Sequence, residues 1–255
     1  AFFSPSDVEA SLKKLYDRLN LIECEKTLLL DAHKLRLTPN PKRAISKEEF
    51  LNYLFKHSAS NINYFNTGGM GYLIKVTPPY GKPFLAKFPW EFARRFGENA
   101  IAAYKKLEKN PNAISRTARF LNADEGTFPI EMELIQGISL YNFLVQNYHQ
   151  KDSLPIQGLH FLMREMALAV DRFHQEKLIN RDIKPDNFIV EKFKNKVTGI
   201  RLVDLDVVKE LYEIANAREG SLGYIDPILL ISEGDERLKE SNDLYSLKMT
   251  YQVML

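Results

Sequence analysis

The chain has 255 residues, 45% of them hydrophobic and 27% charged, which is enough apolar material for one large domain or two modest ones. Lys and Arg (35) nearly balance Asp and Glu (33), and a formal charge of +2 excludes a whole-molecule electrostatic case for binding nucleic acid or a membrane surface. A single cysteine, Cys24, excludes an internal disulfide and points to a reducing compartment, and no apolar run approaches the ~18 residues of a membrane span.

Residues 4–57 read as helical, and the first residues lack the basic and apolar regions of a secretory leader. Ser4-Pro5-Ser6-Asp7 is a capping start with proline at the first helical position, followed by Val8, Leu12, Leu15 and Leu19 at helical spacing. After the loop signal Thr38-Pro39-Asn40-Pro41, Ser46-Lys47-Glu48-Glu49 opens a further helix with Phe50, Leu51, Leu54 and Phe55 on one side. From residue 61 to 133 the texture is short β-type segments, best at 72–76, 84–88 and 128–132, with a hairpin signal at Pro79-Tyr80-Gly81. A helix over 91–107 interrupts them, and helices at 140–148, 157–175 and 242–255 dominate the remainder. The expected fold class is therefore α+β: a helical N-terminal extension (1–60), a small strand-rich lobe (61–135) and a helical lobe (136–255).

The strongest chemical signal is Asn180-Arg181-Asp182-Ile183-Lys184-Pro185-Asp186-Asn187, followed by the apolar run Phe188-Ile189-Val190. This stretch resembles the catalytic loop of eukaryotic-type protein kinases, H-R-D-x-K-P-x-N, with Asn180 in place of the histidine. The resemblance implies that the Asp182 carboxylate accepts the proton of an attacking hydroxyl, that Lys184 neutralises charge on a moving phosphoryl group, and that Asn187 offers a neutral oxygen to a hard cation.

The resemblance extends in consistent order from about residue 61 to 255 and implies a two-lobed kinase domain using ATP and Mg²⁺ or Mn²⁺. Asp204 closes the apolar strand Gly199-Ile200-Arg201-Leu202-Val203 where the family carries D-F-G, which implies the metal-binding acid, with Asp206 replacing the glycine. That extra acid reads as a cation ligand or, preferred, as a surface substitution. Asn66-Thr67-Gly68-Gly69-Met70-Gly71 is similar to the Gly-rich phosphate loop, and Phe84-Leu85-Ala86-Lys87 to V-A-I-K, which implies Lys87 on the α- and β-phosphates. Its helix partner is Glu98 or, because the gap is short, Glu91. Ile130-Glu131-Met132-Glu133-Leu134-Ile135 resembles the hinge, which implies adenine contacts from the backbone of Glu133 and Ile135. Met132 would guard the pocket, with Leu73 and Leu85 as apolar contacts above the ring.

Gly220-Ser221-Leu222-Gly223-Tyr224-Ile225-Asp226-Pro227 is similar to the G-T-x-x-Y-x-A-P segment that docks substrate, and Asp243 to the acid that ties down the catalytic-loop backbone. Lys184 and Ser221 favour the serine/threonine branch. Ile228 stands where the family has the glutamate of A-P-E, which implies an incomplete or remodelled C-lobe. From Val207 to Glu219 the one hydroxyl is Tyr212, and Ala217 fills the usual phosphate-accepting position, so Glu219 is expected to supply Arg181 with a permanent negative charge and activity to be constitutive. Residues 1–60 lie outside the resemblance and are expected to brace the small lobe and to offer a regulatory partner a surface.

The divergent spacers and nonstandard N-terminus resemble kinase effectors that intracellular bacteria such as Legionella deliver into host cells, which implies action in the cytoplasm, that of a host. Two rivals stay open: a pseudokinase binding module, kept alive by Asn66, Asp206 and Asp226, and a kinase-like fold catalysing adenylyl transfer.

Overall fold

The computed structural model describes residues 47–57, 59–67, 70–122, 128–149, 156–193, 196–214, 219–231 and 236–255. The helices expected before residue 47, Gly68, Gly69 and Ala217 lie outside them. The chain divides into two compact units, one reaching to Arg94 and including Phe128–Glu131, the other comprising Arg95–Thr127 and Met132–Leu255.

In the first unit, helix α1 (Lys47–Lys56) precedes strands β1 (Asn61–Thr67), β2 (Gly71–Thr77) and β3 (Phe84–Pro89), and the sheet order β1-β2-β3-β4 is completed by β4 (Ile130–Glu133). Both hairpins are antiparallel, and Leu73 pairs with Lys87. Strict alternation decides the faces. Tyr72, Ile74 and Val76 are buried against Phe84, Ala86 and Phe88, while Leu73, Leu85 and Lys87 are turned to the other side. Tyr72 stacks on Phe88 at 4.9 Å between centroids, and no side chain fits at Gly71, where a Cβ would lie 2.5 Å from the Phe88 carbonyl oxygen.

Tyr53 and Leu54 of α1 enter this core, and the Tyr53 ring meets the edge of Phe88 at 5.4 Å. Of the expected apolar face, Leu54 is buried as expected, while Phe55 is corrected: it is 50% exposed, and Tyr53 is buried instead. An aromatic at either position satisfies the pattern, and the seat of the helix on the sheet selects Tyr53. The third expected strand also shifts, from 128–132 to Ile130–Glu133, because Pro129 has no N–H to give to a ladder.

The second unit holds helix α2 (Arg94–Glu108, its first residue counted with the other unit), which follows the 3₁₀ turn Glu91–Ala93 and buries Phe96, Ala100, Ile101, Tyr104 and Leu107 at helical spacing. Asn110 caps the short α3 (Pro111–Ile114). Next come β5 (Gly137–Ser139), α4 (Leu140–His149), α5 (Ile156–Gln175), β6 (Leu178–Ile179), β7 (Phe188–Phe193), β8 (Lys196–Leu202), β9 (Lys209–Glu210), α6 (Pro227–Ile231) and α7 (Glu240–Met254). The sheet β5-β7-β8 and the pair β6-β9 are antiparallel. Leu162, Met166, Ala169, Val170 and Phe173 form the buried stripe of α5, which packs on β8 and α7. No helix among the described residues is long and apolar enough to cross a membrane.

Candidate functional site

Between β6 and β7 the chain runs through residues 180–187, and α7 holds it from beneath. Asp243, fully buried in the first turn of α7, accepts the N–H groups of Asn180 and Arg181 on separate carboxylate oxygens, each at 2.8 Å. His174 at the end of α5 meets the same carboxylate, with Nε2 at 3.1 Å. Arg181 adopts a left-handed backbone (φ +70°), which costs roughly 1–2 kcal/mol in a non-glycine residue and persists where surrounding bonds over-determine it. The two charge-assisted bonds to Asp243 meet that requirement.

Asp182 follows. Its N–H donates to the side-chain oxygen of Asn180 (3.1 Å), so the amide standing where the resembled motif has histidine does local work. Its Oδ2 accepts from Lys184 Nζ (2.7 Å) and Asn187 Nδ2 (2.8 Å). Its Oδ1 is buried and accepts no hydrogen bond among the described residues. Lys184 Nζ also donates to Ser221 Oγ (2.6 Å), and Asn187 Nδ2 to the Asp182 carbonyl (2.9 Å). Pro185 starts the 3₁₀ turn Pro185–Asn187 and fixes φ where Asn187 must fold back. Asp182, Lys184, Asn187 and Ser221 are thus one hydrogen-bonded group.

Val203 donates its N–H to the Asn187 carbonyl (2.8 Å), which ties the segment carrying Asp204 to that group. Asp204 is exposed and left-handed (φ +67°). Asp206 is corrected: the surface reading fails, because the residue is 4% exposed among the buried Leu205, Val207 and Val208. The apolar character of those neighbours was visible in the sequence; that the turn folds the carboxyl in with them was not.

Glu219 stands against Arg181. The buried guanidinium donates through Nη1 to the Glu219 carboxylate and through Nη2 to the Glu219 carbonyl (3.2 Å). A second guanidinium, that of Arg95 in the first turn of α2, reaches the same carboxylate at 3.4 Å. Arg95 had no distinguishing mark in the sequence beyond a pair of arginines at a helix start. Gly220 (φ +130°) then passes the loop so closely that a Cβ would lie 2.8 Å from the Arg181 carbonyl oxygen. Burial, with the Asp186 carboxylate adding, raises the Tyr224 phenol above its ordinary range.

Leu73, Leu85 and Lys87 share one face of the first unit's sheet, and Gly71 opens β2. Glu98 lies on the exposed side of α2, in the second unit. Met132 bridges Phe120, and the Glu133 N–H donates to the Arg119 carbonyl (2.8 Å). The Glu133 side chain accepts from the Arg119 N–H (2.8 Å) and from Arg201. Ile135 follows β4.

Residues 97–255 match the family profile of the protein kinase domain. The chain is 29% identical to serine/threonine-protein kinase PrkC of Bacillus subtilis over 163 residues, 62% of this chain and 22% of that protein. It is 28% identical to serine/threonine-protein kinase MRCK alpha of Homo sapiens over 65% of this chain and 10% of that protein. Serine/threonine-protein kinase C of Synechocystis is 28% identical over 66% of this chain and 31% of its own length. The chain therefore spans under a third of each of these relatives.

Proposed function

We propose that this chain, which belongs to the protein kinase domain family, transfers the γ-phosphoryl group of ATP to a serine or threonine hydroxyl of a protein. The observation that carries the proposal is the Asp182 carboxylate, clamped on one oxygen by Lys184 and Asn187 beside Ser221 while the other, buried, accepts no hydrogen bond among the described residues. Asp182 orients the substrate hydroxyl and takes its proton, and Lys184, already shared with Ser221, draws the docking segment to the reacting group. The relatives' names support the serine/threonine branch.

The donor set suits a divalent cation. With Nδ2 of Asn187 given to Asp182, its Oδ1 remains for a hard ion, and Asp204 supplies a carboxylate on the adjoining segment. Mg²⁺ or Mn²⁺ bound there would neutralise charge on the phosphates. In the same reading Lys87, paired with Glu98 or Glu91, holds the α- and β-phosphates, and Gly68, Gly69 and Gly71 belong to the same phosphate site. Leu73, Leu85, Met132 and the backbone of Glu133 and Ile135 take the adenine. A regulatory partner acting through residues 1–60 belongs to the same reading, and the effector likeness supports a host protein in the cytosol as substrate.

Incubation with γ-labelled or α-labelled ATP, a divalent cation and a generic protein substrate tests the reading. Label is expected on protein from the γ position alone; label from the α position would mean nucleotidyl transfer, and none from either would favour the binding module.

Glu219 lying between two guanidiniums supports activity without an activation-segment phosphate. Phosphatase-treated protein is expected to keep its turnover, whereas Glu219→Ala loses about tenfold, as for a buried charge-assisted bond. Loss of activity together with a phosphate from Tyr212 or Ser221, followed by mass spectrometry, would contradict this.

A further inference from the structure

Consecutive side chains of one helix turn hold both strips of chain that meet at the candidate site. Asp243 takes the backbone of residues 180–181. Its neighbour Asn242, 4% exposed, donates Nδ2 to Asp226 Oδ2 (2.9 Å) at the end of the 220–226 segment, and its Oδ1 accepts the Lys239 N–H (2.8 Å) at the start of α7. The other Asp226 oxygen, Oδ1, accepts the Ile228 N–H (3.1 Å) in the first turn of α6. Both carboxylate oxygens and both ends of the carboxamide are therefore engaged. Upstream, the Tyr224 and Ile225 N–H groups both donate to the Ser221 carbonyl (3.1 Å each), so a shift at Asp226 is carried through a tight turn to the serine that shares Lys184 with Asp182. Ile225 and Leu229, on either side of Asp226, are buried with Ile179 and Leu238.

From this geometry we infer that Asn242 and Asp226 are a positioning pair that fixes the docking segment against the catalytic loop. The pair takes the place of the fastening that a carboxylate two positions later, where this chain has Ile228, would make in the resembled pattern. The inference rests on the kinase reading for its effect on turnover, though not for its structural content. A carboxamide donating to a carboxylate is a charge-assisted bond, and its polarity can be reversed without removing either helix cap.

The test is amide hydrogen exchange by mass spectrometry on the full chain, with kinetics beside it. Asn242→Asp keeps an acceptor for the Lys239 N–H but sets two carboxylates against each other. Exchange over residues 220–226 is expected to rise about tenfold, and KM for the protein substrate to rise by a similar factor with KM for ATP unchanged. Exchange at Asn180 and Arg181, held by Asp243, is expected to stay as in the wild type. The reciprocal double variant, Asp226→Asn with Asn242→Asp, restores one amide and one carboxylate and is expected to return exchange to within about twofold. Unchanged exchange in the single variant overturns the proposal, as does equal loosening of both segments or a double variant no better than the single. Should Asn242→Asp fail to fold, Asp226→Ala at its half-buried position reads the same segment, and unchanged exchange there is equally fatal. Absence of γ-phosphate transfer in the wild type would defeat the kinase reading while leaving the exchange result to stand or fall alone.

Discussion

Replacing Asp182 by Asn is expected to lower turnover by about 10²–10⁴-fold, the cost of losing a positioned base, while ATP affinity stays within a few-fold of wild type. The geometry leaves the amide no good choice. Oδ2 of Asp182 already receives two donors, Lys184 Nζ and Asn187 Nδ2, so an amide nitrogen placed there would face donors only. The carboxamide oxygen therefore takes that position, and the NH₂ group turns to where Oδ1 now lies, buried and without a hydrogen bond among the described residues. A substrate hydroxyl would then meet a donor where it needs an acceptor. Shape, charge on Lys184 and the Asn187 contact are largely kept, so the loss should fall on kcat. Parallel losses in nucleotide affinity and turnover, measured by titration and steady-state kinetics, would mean that Asp182 works in binding and not as the base.

The loop that carries Asp182 was legible because its chemistry demands particular residue types at fixed spacing. Arg181, Asp182, Lys184, Pro185 and Asn187 keep that spacing whatever surrounds them. Strands β2 and β3 were legible for a different reason: Tyr72, Ile74 and Val76 alternate with half-exposed residues, and Phe84, Ala86 and Phe88 do the same. Helices α2 and α5 declared themselves by their stripes. What stayed hidden was set by tertiary choice. Tyr53 and Phe55 are equally apolar to a pattern, and only the sheet beneath decides which is covered. Arg95 and Glu219 lie 124 positions apart, and nothing local marks either as the other's partner. Asp206 looked like a surface residue because acids usually are, and Asn242 looked like an ordinary residue of a helix start. Each of these depends on where a second segment arrives, which neither periodicity nor spacing encodes.

Asp204→Asn is expected to cut turnover by about 10²-fold or more and to weaken the dependence of ATP binding on divalent cation. Asparagine is the informative choice because of the backbone. Asp204 sits at φ +67°, a region where asparagine is among the few side chains tolerated, whereas alanine would add left-handed strain of about 1 kcal/mol. The substitution thus keeps the turn that follows Leu202 and keeps the Val203 N–H on the Asn187 carbonyl while removing the charge. The Asp204 carboxylate is exposed and held in a left-handed conformation, one peptide from a residue bonded to Asn187. A cation bridging Asp204 and the side-chain oxygen of Asn187 would bring its charge to the phosphates. Nucleotide affinity measured with Mg²⁺, with Mn²⁺ and with chelator should separate the wild type into metal-dependent and metal-free binding, and the variant should show mainly the latter. Melting temperature should stay within a few degrees, because the residue is exposed and the backbone conformation is kept. If Asp204→Asn turns over near the wild-type rate at saturating Mg²⁺, the cation is held elsewhere and the assignment of Asp204 falls.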